Sequence, residues 1–193
     1  MAGFTRRIVV GISGSSGPVY GIRLLEALRA TGNTEIHLVV TEAASQTIRL
    51  ETEWSPEQVL ELSHVRYDNR DLAAGIASGS FPTDGMIIAP CSMHTLAEVA
   101  HSLTSSLLTR AADVHLKERR RLILMVRETP LHVGHLRNMV LATEAGAVIL
   151  PPIPAFYHSP KSIDDIVDQS VGKALDLLSI RHHLFKRWKS PPE

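Results

Sequence analysis

The feature that most constrains this chain is the regular alternation of short β-branched runs with helical stretches. The first run, Arg7 to Ser13, is apolar at successive positions, which is typical of a strand covered on both faces. It ends in glycines and leads into Pro18 to Ala30, where apolar residues recur at helical spacing. A strand, a glycine-rich turn and a helix form the opening unit of a parallel α/β sheet.

The same alternation continues to the end of the chain. It predicts an α/β fold with a doubly wound parallel sheet, in one domain spanning residues 1–193, with a flexible tail at 189–193. A helix is expected to begin after Ser55, because Pro56 and Gln58 complete a capping box. The other predicted strands are Glu35–Val40, Gly85–Ala89, Leu122–Val126 and Ala147–Leu150, and the other helices are Ala43–Leu50, Leu131–Ala145 and Ser162–Leu178.

Composition excludes several classes of protein. The formal net charge is zero, which argues against a nucleic-acid binder and against the strongly acidic surface of a flavodoxin-type electron carrier. No apolar run approaches the roughly 20 residues of a membrane span, and Met1 to Arg7 lacks the apolar core of a secretory signal. Cys91 is the single cysteine, so no intrachain disulfide is possible. We therefore expect a cytoplasmic location.

The segment Gly11 to Gly17 joins the first strand to the first helix. Glycines let a backbone approach a phosphate closely, and the N–H groups and dipole of a helix start favour an anion there. The hydroxyls of Ser13, Ser15 and Ser16 add donors. The segment matches neither a dinucleotide fingerprint nor a P-loop, so it predicts a phosphate site, with a plain strand-to-helix turn as the alternative.

Two more segments follow strands at the same expected edge of the sheet. Pro90 to Thr95 opens a helix with small hydroxyl residues, which cap the helix or bind a ligand. Within it Cys91 has no evident base beside it and is predicted to be a packed thiol. Arg127 to Pro130 places a cation and a carboxylate at a strand end, as site residues or as a surface ion pair. Ligands bind at the carboxyl ends of parallel strands, so one shared site is expected.

Two charged stretches and one rigid loop are interpreted from their sequence context. Glu118 to Arg121 is interpreted as a solvated helix end. Asp164, Asp165 and Asp168 spell the D-D-x-x-D of magnesium-dependent prenyl-diphosphate enzymes, but Ser162 precedes them as a helix cap and acids suit a first helical turn. We therefore predict no metal site. Pro151 to Pro160 is a proline-stiffened loop, suited to a lid or an oligomer arm.

Several ordered motifs resemble the UbiX-type flavin prenyltransferase family along nearly the whole chain. They are GISGSSGPVYGIRLL near the start, LET at Leu50, ASGSF at Ala77, PCSMHTL at Pro90, LLTRAADVHLKERR from Leu107, RETPLHVGHLRNM from Arg127 and GAVILPPIPAFYH from Gly146. The resemblance implies a Rossmann-like or flavodoxin-like three-layer fold. It also implies transfer of a dimethylallyl group from dimethylallyl monophosphate to N5 and C6 of reduced FMN, without a metal.

The resemblance further implies a homo-oligomer, a dodecamer with sites between subunits, and a UbiD-type decarboxylase that receives the prenylated FMN. It assigns residues to three roles. FMN would be held by Gly14, Ser15, Ser16, Thr41, Ser92, Met93, His94, Thr95 and Arg127; catalysis would use Ser16, Glu51, Arg110, Lys117 and Glu128; and Tyr157 and Lys173 would bind the donor phosphate.

Three positions depart from the family pattern, and three other functions stay open. Ser15 replaces the usual Ala, Thr41 replaces a frequent Ser, and Lys173 replaces Arg, which loses the bidentate fork toward phosphate. The alternatives are a non-catalytic FMN-binding subunit of a hydroxyarylic acid decarboxylase, a flavin-dependent cysteine decarboxylase, and the flavodoxin-type carrier. The cysteine decarboxylase signatures P-x-M-N-x-x-M-W and P-A-S-A-N-T have no match here.

Overall fold

The computed structural model describes residues 6–189, so the predicted flexible tail lies, apart from Lys189, outside the described residues. A single six-stranded sheet forms its centre, and every strand pairs in parallel with its neighbours. The strands are β1 (Arg6–Ile12), β2 (Thr34–Val40), β3 (Val65–Tyr67), β4 (Gly85–Cys91), β5 (Leu122–Val126) and β6 (Val148–Ile149), in the spatial order β3-β2-β1-β4-β5-β6.

Seven helices and one 3₁₀ turn, Gly75–Ala77, cover the two faces of this sheet within the described range. One buried cluster joins the first face to four helices, and a second cluster joins the other face to the remaining three. The first layer contains α1 (Val19–Ala30), α2 (Glu42–Glu51), α3 (Pro56–Glu61) and α7 (Ile163–Leu177), and the second contains α4 (Met93–Ala100), α5 (Leu107–Lys117) and α6 (Val133–Glu144).

The pleat of β1 shows why both faces are apolar. Val10 and Ile12 face the first layer, while Val9 faces the second, and all three are fully buried. Successive side chains of a strand point to opposite faces, so a strand covered on both sides needs a continuous apolar run. The run at residues 7–13 satisfies this requirement.

The fold class predicted from the sequence is confirmed, as are the five predicted strands and the helices. Ser55 and Gln58 form the predicted capping box, and Ser162 caps α7. One strand was missed: β3 has three residues, and none of its side chains is fully buried. A short strand at the edge of a sheet carries too few positions for an alternation pattern to show.

The strand order places a topological switch point between β1 and β4. From β1 the chain winds toward β3 on one side, and after β3 it crosses to β4 on the other. The helices that leave the two central strands therefore lie on opposite faces, and a crevice opens at the carboxyl ends of β1 and β4. Of the helices described, none has the length and hydropathy needed to cross a bilayer.

Candidate functional site

A cavity of about 600 Å³ occupies this switch point, within the 300–1,000 Å³ range of small-molecule sites. Its walls come from the segments that follow β1, β2, β3 and β4, from α2 and α4, and from the start of α5. The lining residues are Ser13, Gly14, Thr41, Glu42, Ala43, Gln46, Asn69, Ser92, His94, Thr95, Glu98, Ser105, Ser106 and Leu108.

Three helix N-termini border the cavity. The N-cap side chains of α2, α4 and α5 are Thr41, Ser92 and Ser106, and each accepts a hydrogen bond from its own helix. At α5, Asn69 also accepts the N–H groups of Leu107 and Leu108. At α2 and α4 the caps satisfy the third N–H, so the first two remain available to a ligand. This arrangement fits an anion such as a phosphate.

The glycine loop is packed directly against α2. A Cβ atom placed on Gly14 would lie 2.4 Å from the Cβ of Ala43, so only glycine fits at this position. Beside it the Ser13 hydroxyl donates to the Pro90 carbonyl (2.8 Å) and accepts the Ser92 N–H (2.8 Å). These two bonds tie the end of β1 to the start of α4. They fix the backbone edges on both sides of the cavity.

The next two serines of the loop turn away from this cavity. Ser15 Oγ donates to the Arg127 carbonyl oxygen at 2.7 Å. Ser16 Oγ donates to Glu51 Oε2 at 3.1 Å, and the Gly17 N–H donates to the same oxygen at 2.8 Å. The predicted catalytic residues Ser16 and Glu51 therefore meet, at the start of α1 rather than inside the cavity.

Arg127 and Glu128 follow β5 on the same side of the glycine loop. The Arg127 N–H donates to the Cys91 carbonyl, and the Arg127 side chain is half-buried. Glu128 is exposed, and its Oε1 accepts the Thr129 N–H at 2.9 Å. Within the described part of the chain no ion pair joins Arg127 to Glu128, so the surface ion pair considered from the sequence is not observed. The carboxylate is free to face a ligand.

Tyr20 was not singled out in the sequence, although it lies in this region. Its ring is close to Gly17, since a Cβ added there would lie 3.1 Å from the ring. Burial raises the pKa of the Tyr20 hydroxyl, and the nearby Arg127 charge opposes this shift. The side chain thus fills the space between the glycine loop and Arg127. In the sequence it is indistinguishable from an ordinary position of a helical pattern.

The segment after β4 supplies the predicted cofactor residues Ser92, Met93, His94 and Thr95. Ser92, His94 and Thr95 line the cavity, whereas Met93 packs against the second buried cluster. His94 Nε2 lies 3.7 Å from Glu98, which also accepts a hydrogen bond from Ser105.

The neighbouring Cys91 is fully buried, as predicted for a packed thiol, and burial raises its pKa far above the usual range. A thiol in this state is a poor nucleophile.

Two predicted catalytic cations lie elsewhere in the protomer. α5 begins at the cavity and runs away from it, so Lys117 at its last residue is about 15 Å from the first. There Lys117 pairs with Glu118 and lies close to Gly79, near the start of β4. Arg110 donates to the Ala77 carbonyl and pairs with Asp113 at 3.0 Å. A single chain therefore does not bring these two side chains to the cavity.

The two predicted donor-binding residues are also apart from the cavity. Tyr157 lies in the proline-rich loop, 42% exposed, with its ring edge-to-face against Trp188 at 5.5 Å. Lys173 is exposed on α7, with no ion pair to any residue between 6 and 189. Both side chains face outward and are accessible to another molecule.

The acidic triplet of α7 does not form a cluster. Asp165 completes the capping box with Ser162. Asp168 pairs with Arg23 of α1, with a shortest N–O distance of 2.5 Å. Across residues 6–189, no three His, Cys, Asp or Glu side chains come together as a candidate metal centre. The interpretation of this stretch as a helix start agrees with these contacts.

The fold and the cavity at its switch point define a class of protein: a flavoprotein of the parallel α/β type. The family model described as Flavoprotein matches residues 4–175. A flavin prenyltransferase UbiX from Salmonella typhimurium is 56% identical over 186 residues, which span 95% of this chain and 98% of that protein. The chain therefore belongs to the UbiX flavin prenyltransferase family, a family of transferases, as its motifs predict.

Two solved structures support this membership. AnUbiX (PadA1), crystallised in complex with FMN and dimethylallyl pyrophosphate, is 50% identical, has a TM-score of 0.94 and is matched over 97% of this chain and 99% of its own. A dodecameric FMN-dependent Ubix-like decarboxylase from Escherichia coli O157:H7 is 44% identical, with a TM-score of 0.93 and coverage of 95% and 100%. The cysteine decarboxylase TvaF, 16% identical at a TM-score of 0.66, shares the fold alone.

Proposed function

We propose that this protein transfers a dimethylallyl group from a dimethylallyl phosphate to reduced FMN. The observation that carries the proposal is the pairing of two adjoining regions at the switch point. One is the cavity bordered by helix N-termini, which suits a phosphate. The other is the glycine loop itself, where Ser16 bonds to Glu51 and Ser15 bonds to the Arg127 carbonyl, with Glu128 next in the chain. A flavin mononucleotide needs the first region, and chemistry on its ring needs the second.

The residues present fit FMN. Unpaired N–H groups at the starts of α2 and α4 suit its phosphate, with the hydroxyls of Thr41, Ser92 and Thr95 beside them. Gly14 lets the loop lie against α2 without a side chain in the way. We place the phosphate on this side, because the unpaired N–H groups of two helix starts lie there. Arg127 then lies toward the ring.

Bound reduced FMN supplies the nucleophile, and the protein supplies electrostatic stabilisation and a proton path. Cationic side chains stabilise the departing phosphate of the donor, a role assigned to Arg110, Lys117, Arg127 and Lys173. Aromatic faces such as Tyr157 suit the positive charge that develops on the allyl group. The proton lost on ring closure goes to Glu128, or to the released phosphate by way of Ser16.

This scheme requires more than one subunit, because Lys117 lies at the far end of α5 and the Arg110 side chain is bound to Ala77 and Asp113. We propose that they reach the site of a neighbouring copy in a dodecamer. The outer face of α6 supports association, since Val133, Leu136 and Val140 are 61%, 49% and 56% exposed. An exposed apolar stripe of this kind is typical of an interface.

The remaining expectations are part of the same proposal. The donor is dimethylallyl monophosphate, and the prenylated flavin passes to a UbiD-type decarboxylase in the cytoplasm. The deciding experiment incubates the purified protein with reduced FMN and either the monophosphate or the diphosphate donor, followed by mass spectrometry of the released flavin. A mass increase equal to one C5H8 unit with the monophosphate supports the proposal. Unmodified flavin with both donors contradicts it and supports the non-catalytic FMN-binding subunit.

A further inference from the structure

A second cavity, of about 480 Å³, lies at the opposite pole of the protein, where β4 and β5 begin. Its location is set by three helices that end there. The residues following the C-terminal turns of α5, α6 and α7 are Arg119, Gly146 and Ser179, and all three line the cavity. None of the residues assigned to the transfer reaction lines this cavity.

The residue after each of these three helix ends has a left-handed backbone conformation. Arg119, Gly146 and Ser179 have φ angles of +57°, +110° and +55°. The position after a helix C-cap commonly takes this left-handed conformation, and glycine is strongly preferred there because a Cβ atom is unfavourable. Gly146 follows that preference, but Arg119 and Ser179 do not. At each of the three ends the two N–H groups after the cap bond to carbonyls of the last helical turn, so the conformation itself is that of an ordinary helix end.

The charges around the cavity favour an anion. Arg119 and Arg121 are exposed, and their guanidinium groups have no partner in the described range. Arg120, which also lines the cavity, donates to the carbonyls of Gly79 and Phe81 and thereby anchors this segment. The acidic side chain in the lining is Asp84, whose Oδ2 already accepts the Arg7 N–H.

Helix C-termini carry partial negative charge, so arginines there also offset the dipoles of the three helices. That role explains a cation near a helix end, and the hydrogen bonds of each helix end explain its left-handed residue. Neither explains an open cavity whose floor is apolar, formed by Leu116, Leu177 and Leu178. Guanidinium groups beside a hydroxyl are well suited to phosphate oxygens.

We propose that this polar cavity is a second ligand site, which binds a phosphate group through Arg119, Arg121 and Ser179. The phosphate belongs to a small organic phosphate whose apolar body rests on the leucine floor, or it is free inorganic phosphate. The site is separate from the flavin cavity of the same chain.

The test uses FMN-loaded protein and two probes, inorganic phosphate and isopentyl phosphate, with binding measured by isothermal titration calorimetry. Arg119→Gly removes the guanidinium and relieves the backbone, so it should fold with an unchanged or higher melting temperature. It should weaken binding at this site by about tenfold or more, and Arg121→Gln should do the same. Neither variant should change the binding of phosphate or isopentyl phosphate at the flavin cavity.

Two controls match these changes. Ser102→Gly relieves another left-handed residue (φ +53°) outside this cavity, and Arg66→Gln removes an exposed positive charge on β3. Both should leave the titration unchanged. The ligand is identified from the binding that Arg119→Gly removes: if that component is tighter for isopentyl phosphate than for inorganic phosphate, the ligand is an organic phosphate, and if the two are equal, it is phosphate itself. Titrations of Arg119→Gly and Arg121→Gln that match wild type overturn the proposal.

Discussion

Glu51 accepts two hydrogen bonds at the start of α1, from the Gly17 N–H at 2.8 Å and from Ser16 Oγ at 3.1 Å, with the same Oε2 atom. A carboxylate at the last residue of α2 thus fixes the end of the glycine loop. The contact spans 34 positions in the sequence. It places a negative charge beside Ser16, on the side of the loop away from the cavity.

Replacing Glu51 by Gln tests this contact. The amide oxygen keeps one acceptor but loses the charge, which weakens the two bonds by about 1.4 kcal/mol and corresponds to roughly tenfold slower turnover. FMN affinity should stay at the wild-type value, because the phosphate is placed on the other side of the loop. Steady-state kinetics and flavin titration measure both quantities. Glu53→Gln, an exposed change two residues away, is the control. An equal loss in both variants would contradict the assignment.

Removing the carboxylate of Glu128 should affect chemistry and spare FMN binding. Glu128 is exposed and has no ion pair to Arg127, and its carboxylate accepts only the neighbouring Thr129 N–H among the described residues. In Glu128→Gln the step that loses a proton should slow by about 100-fold, the usual scale for a general acid or base. Single-turnover spectra of the reduced flavin follow this step. Prenylated FMN formed at full speed would assign the proton to the released phosphate and Ser16 instead.

The close packing of Gly14 on Ala43 predicts that a substitution at Gly14 can be compensated by a substitution at Ala43. A methyl group at Gly14 meets the Ala43 side chain at 2.4 Å, so Gly14→Ala should cost about 1–3 kcal/mol of stability. It should also weaken FMN binding, because the loop must move from α2. The double variant Gly14→Ala/Ala43→Gly removes the opposing methyl group and should restore most of both losses. Thermal unfolding and flavin titration of Gly14→Ala, Ala43→Gly and the double variant complete the cycle, and additive losses would show that the contact is not the cause.

His115 makes stability depend on pH. The side chain is almost fully buried, and burial lowers the pKa of the imidazole to about 4. Between that value and the ordinary value near 6.5, the unfolded chain binds a proton that the folded protein excludes. The contribution of neutral His115 to the free energy of unfolding is therefore complete above about pH 6.5. It decreases by up to about 3 kcal/mol as the pH falls toward 4. Desolvation lowers the pKa of His37 as well, which adds in the same direction.

Denaturant unfolding between pH 4 and 7 measures this dependence. His115→Gln should flatten the loss of stability at acid pH, although it lowers stability at pH 7 because the bonds to Thr83 and Ala111 change. His183→Gln, at an exposed position, should leave the pH profile as in the wild type. A His115→Gln profile as steep as that of the wild type would show that other groups cause the acid sensitivity.

The transfer reaction should not depend on a divalent metal. Asp165 and Asp168 are held in a helix cap and in an ion pair with Arg23, so they are not arranged around a shared ion. Turnover measured in the presence of EDTA should equal that of untreated enzyme. Loss of turnover with EDTA that is restored by magnesium would return the D-D-x-x-D motif to consideration.

The sequence by itself determined the architecture and the edge of the sheet at which the first cavity lies. Continuous apolar runs such as Arg7–Ser13 specify strands covered on both faces, and the alternation with helices then permits few topologies. Local capping signals were equally reliable, as Ser55 and Ser162 show, because a cap depends on neighbouring residues. The family motifs are long and ordered, so family membership also followed from the sequence.

Only the tertiary structure decided which of the predicted site residues lie together and which lie apart. Ser16 and Glu51 are adjacent because α2 ends beside the glycine loop, and Lys117 is remote because α5 runs away from the cavity. Such distances depend on helix direction and packing between segments far apart in the chain, which no local pattern contains. Local preference fixed the elements, and the packing of their side chains fixed which charges meet.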